Sequence, residues 1–122
     1  MSDQLESEYW LFYAEADLES AEVLLNSTEN YHISIYHAHQ AIEKMIKRYS
    51  ILADTEFPFI HDLVKLYLNM KKDAKLEDDT LKELSYVMNL YSRTRYPKGD
   101  TLNKMEAEKA LTIAKKYFTL LK

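Results

Sequence analysis

The chain has 122 residues, no Cys, one Gly, two Pro and a net charge of −4. That length makes one ordinary domain, spanning residues 1–122, able to fold without disulfides or a structural metal. Zero Cys excludes a disulfide scaffold, a zinc–thiolate site and a thiol nucleophile, while so few Gly and Pro disfavour a many-turned β fold and a Gly-rich phosphate loop.

Long helices remain, and five are readable in chain order. The first runs from Ser2 or Asp3 to Leu25 and ends at Asn26-Ser27-Thr28. The start MSDQLESE is acidic and has no apolar core segment, so no secretory signal is expected there. Residues 1–30 carry eight acids and no Lys or Arg, whereas the other 92 residues carry 16 bases and 12 acids. A protein built to coat nucleic acid is usually basic throughout, so this one would have to use a local basic patch. Only Glu8, Glu15, Glu19 and Glu22 form a polar stripe on this helix. Trp10, Ala14, Leu18, Ala21 and Leu25 lie on one apolar side and Leu5, Tyr9, Phe12, Ala16 and Val23 on another. So wide an apolar arc calls for cover on two sides, and a dimer interface is a natural second cover. Asp17 falls on the apolar side and needs a base; Lys44, Arg93 and Arg95 are the candidates. It reads either as a site acid or as a structural buried acid.

The second helix is expected over Asn30 to Ala53. Tyr31, Ile35, Ala38, Ile42, Met45, Ile46 and Tyr49 make its apolar side, and His32, Tyr36, His39, Gln40, Glu43 and Lys47 a polar stripe opposite. His39 and Glu43 are one turn apart and could form an acid–base pair; the plainer reading is a solvated face. Glu29 and His32 have the Glu-x-x-His spacing of carboxylate-bridged metal sites, but only one copy exists, so no metal site is expected. Pro58 makes Asp54 to Phe59 a loop. A short third helix is expected from His61 to Lys72, with His61 as a cap or a donor across the loop.

The fourth helix spans Asp78 to Ser92, with Glu77, Asp78 and Asp79 suited to its N-terminus. Arg93, Arg95 and Tyr96 follow, then the breaker Tyr96-Pro97-Lys98-Gly99-Asp100. Two guanidiniums with flanking aromatics can hold phosphate and stack on a base; equally, one of them could pair with a buried acid. The last helix starts after Asn103, which with Glu106 reads as a capping box. No apolar run is long enough to span a membrane.

Four segments, in this order, carry a resemblance: Ala14 to Leu25, Tyr36 to Lys47, Phe57-Pro58-Phe59-Ile60-His61-Asp62-Leu63, and Tyr91 to Pro97. Together they resemble the HEPN domain (higher eukaryotes and prokaryotes nucleotide-binding) over nearly the whole chain. The resemblance implies an all-α, up-and-down bundle of four main helices plus one short helix. It implies a cytoplasmic homodimer without a cofactor, often paired with a nucleotidyltransferase-like protein, sometimes as toxin and antitoxin. Many such domains are metal-independent ribonucleases whose Arg is followed four to six residues later by His. Here neither Arg93 nor Arg95 has a His at that distance, and none occurs after His61. The chain is similar to an Arg-Tyr-Pro branch, for which nucleotide or RNA binding is the expectation. The expected ligand residues are Arg93, Arg95, Tyr96, Gln40, Glu43 and Lys47. The alternatives are a ribonuclease in which Arg95 stabilises the phosphorane and His39 or His61 moves protons, or a pure protein-assembly module.

Overall fold

The computed structural model describes residues 3–71, 77–96 and 101–122. It contains five helices: α1 (Asp3–Ser27), α2 (Tyr31–Leu52), α3 (Leu63–Met70), α4 (Asp78–Thr94) and α5 (Lys104–Leu121). They form the expected all-α, up-and-down bundle of four main helices and one short one. The expected positions Ser2, Lys72 and Pro97 to Asp100 lie outside the described residues.

α2 is the centre of the bundle and contacts all four other helices, α1 most extensively. Small residues permit that close approach: Ala14 and Ala21 of α1 and Ala38 and Ala41 of α2 are buried, and the Ser34 hydroxyl donates to the Ala21 carbonyl at 2.7 Å. The core continues through Ile35, Ile42, Met45 and Ile46 into Leu84 and Val87 of α4 and Ala110, Ala114 and Tyr117 of α5. Ile35, Ala38, Ile42 and Met45 repeat at three- and four-residue intervals, as do Ala110, Ala114 and Tyr117, the spacing that keeps one helix face inward.

Local chemistry sets the ends. Asp54 has φ 53°, and the amides of Asp54 and Thr55 donate to the carbonyls of Ile51 and Ser50, a Schellman ending for α2. Asp62, not His61, caps α3 by accepting from the Lys65 amide at 3.0 Å, so α3 starts at Leu63 rather than His61. The capping box of Asn103 and Glu106 is formed as expected. Among the described residues no helix is long and apolar enough to cross a membrane.

Candidate functional site

The stripe on α2 is buried along part of its length, although His32 stays exposed. His39 is 0 % exposed, Glu43 3 % and Lys47 8 %. The reason is tertiary: α2 is surrounded by the other helices, and the loop before α3 brings Phe57 and His61 against it. Glu43 therefore has to be satisfied from within. Its Oε2 accepts from Lys47 Nζ at 3.1 Å and its Oε1 meets His61 Nδ1 at 2.8 Å. Trp10 of α1 and Phe57 of the loop flank the Lys47 ammonium at 5.8 and 5.7 Å. His61 is the open member of the group, its side chain 58 % exposed.

Tyr91 of α4 covers the other end of the stripe. Its ring stacks on His39 at 3.7 Å and within 15° of parallel, and on Tyr36 at 5.8 Å. His61 approaches the same ring at 6.4 Å. Burial pushes the Tyr91 hydroxyl up, against the opposing pull of Arg95. Burial also pushes the His39 imidazole down to about 4, although Glu43 pulls the other way. His39 is therefore neutral at pH 7; its Nδ1 meets Gln40 Oε1 at 3.3 Å and its buried Nε2 has no hydrogen-bond partner among the described residues.

The two arginines diverge. Arg93 pairs with Glu106 of α5 at 3.3 Å. Arg95 lies over the Tyr91 ring, 5.8 Å from its centroid, with Nη1 3.5 Å from the hydroxyl. Tyr96 beside it is exposed. Of the expected ligand residues, Gln40, Glu43, Lys47 and Arg95 therefore share one connected cluster with His39. Arg93 is held on the α5 side. Asp17 is buried and takes Lys44, one of the expected bases, on one oxygen and His37 at 2.8 Å on the other. His61 and Tyr91 are the site members least legible in the sequence. His61 reads there as a cap, a donor across the loop or, in the ribonuclease alternative, a proton carrier, and Tyr91 as a flank to the arginines.

Chemically, the cluster offers one guanidinium on an aromatic platform and one imidazole oriented by a carboxylate. Among the described residues no group of three His, Cys, Asp or Glu could hold a metal ion.

The HEPN domain model matches residues 7–122. No curated protein matches the chain. Among solved structures, TT1696 from Thermus thermophilus is similar with a TM-score of 0.82 and 24 % identity, covering 94 % of each chain. ST0689, described as an archaeal HEPN homologue, is similar with a TM-score of 0.75 and 20 % identity, covering 94 % of this chain and 93 % of that one. At those identities the two structures speak for the fold alone.

Proposed function

The chain belongs to the HEPN domain family, and from that premise we propose that it is a cytoplasmic module binding nucleotide or RNA phosphate at Arg95. The proposed assembly is a homodimer that works with a nucleotidyltransferase-like protein, as in a toxin–antitoxin pair. One observation carries the site: among the described residues Arg95 has no carboxylate partner, whereas Arg93 is paired with Glu106. A guanidinium resting on a ring and not neutralised is preset to accept a phosphate, and the exposed Tyr96 can stack on a base.

The expected result for Arg95→Ala is a loss of about tenfold or more in affinity for a fluorescent RNA oligonucleotide, since a charge-assisted hydrogen bond is worth roughly 1.5–3 kcal/mol. Its thermal midpoint should stay near the wild type, because Arg95 is exposed. A variant that unfolds would mark Arg95 as structural; unchanged affinity would move the site elsewhere.

A second reading, metal-independent RNA cleavage, is favoured by the His61–Glu43 pair. Glu43 occupies Nδ1 of an exposed imidazole and leaves Nε2 for a ligand, within reach of the ring that carries Arg95. Such a pair can take and return a proton, the role left vacant by the absent motif histidine. His39, buried and neutral, is the poorer candidate. On this reading, end-labelled RNA is cut in the presence of EDTA and His61→Ala abolishes the cut. Activity unchanged in that variant would remove the reading.

A further inference from the structure

We propose that the outward face of α1 is a docking seam for an amphipathic helix of another protein, one whose apolar stripe is flanked by Lys and Arg. The inner face of α1 is used up against α2 through Ala14, Asp17, Ala21 and Leu25. The outer face keeps Tyr9 (51 % exposed), Phe12 (65 %) and Val23 (53 %) in solvent. Tyr9, Phe12, Ala16, Glu19 and Val23 follow one another at steps of three, four, three and four residues, and all are exposed. That spacing lines the five up on one face of α1, as a helix packing along a second helix requires.

Charge identifies the occupant. Glu8, Glu15 and Glu22 repeat every seven residues along one border of the seam, where flanking charges set partner choice. Glu22 is engaged by Lys115 of the same chain at 2.8 Å, while Glu8 and Glu15 are exposed. Glu19 stands within the seam itself, where an opposing Lys or Arg would be favoured and an apolar residue penalised. Beside Tyr9, an open groove of about 670 Å³ is lined by Glu6, Tyr9, Trp10 and Tyr13. Rings for an alkyl stem and a carboxylate for its cationic head suit a lysine or arginine side chain.

A second copy fits poorly. A parallel pair in register sets Glu19 against its own copy, and an antiparallel pair brings the two glutamate rows together. Residues 1–30 contain no Lys or Arg to relieve either arrangement. The exposed Glu8, Glu15 and Glu19 make the face unsuited to RNA or to an anionic membrane. The proposed homodimer therefore uses a different face.

The test is fluorescence anisotropy with two labelled helical peptides of about four heptads, alike at the apolar positions, one with Lys and one with Glu at the flanks. The Lys peptide should bind at least about tenfold more tightly than the Glu peptide. Phe12→Glu should abolish that binding with no change in the circular dichroism melt, since Phe12 is exposed. The triple change Glu8→Lys, Glu15→Lys, Glu19→Lys should reverse the preference. Four results would overturn the proposal: no binding of the Lys peptide, equal binding of both peptides, binding that survives Phe12→Glu, or a wild-type dimer that Phe12→Glu splits in sedimentation.

Discussion

Glu43→Ala is expected to lower the stability of the domain by about 3–5 kcal/mol, the usual cost of leaving one member of a buried ion pair alone. Lys47 is the member left behind. Its side chain is only 10 % exposed and sits between two rings, with Glu43 Oε2 the carboxylate oxygen bonded to its ammonium. The same logic says what should rescue it. A double change, Glu43→Leu with Lys47→Met, removes both charges and keeps the volume, so most of the loss should return. Urea unfolding at pH 7 measures both. The surface pair Lys115–Glu22 supplies the contrast: both side chains are about half exposed, and Lys115→Ala should cost less than about 1 kcal/mol. A Glu43→Ala loss as small as that would mean that water reaches the Lys47 ammonium.

The second large effect is a dependence on pH. His39 titrates near its ordinary 6.5 when unfolded and at about 4 when folded. Between those values the unfolded chain takes up a proton that the folded one refuses. The stability held by neutral His39 is thus complete above about pH 6.5 and falls as pH drops toward 4, by at most about 1.4 kcal/mol per pH unit. The total is about 3 kcal/mol. Carboxylates titrate in the same range, and Glu43 and His61 are close by, so the comparison is with His39→Phe, which keeps a ring against Tyr91. Urea midpoints from pH 7 to 4.5 should fall more steeply in the wild type than in the variant. Parallel curves would mean that His39 is hydrated and protonates in place.

The five helices are legible because each repeats its apolar residues at helical spacing and ends at recognisable chemistry, as at Asn103 with Glu106. Asp17 is legible for a different reason. A carboxylate on an apolar face has to find a base, and Lys44 is among the few in reach. Its second partner, His37, is not, since two ligands on one carboxylate leave no mark in the spacing. The burial of His39, Glu43 and Lys47 is hidden altogether. A polar stripe looks solvated until the path of the loop carrying Phe57 and His61 is known, and that path is tertiary. The separation of Arg93 from Arg95 is hidden likewise: two positions apart along a helix end, they reach for different neighbours.

The central position of α2 has a consequence for how the chain is made. α1 and α2 can pair as soon as both have left the ribosome, because they are adjacent in sequence. The side of α2 that α5 covers must wait, since α5 is the last of the five helices and its end is tied back when Arg48 donates to the carbonyls of Leu121 and Lys122. Until then a nascent chain carries an uncovered apolar slot on its middle helix, the kind of surface that chaperones hold and that aggregates when synthesis stalls.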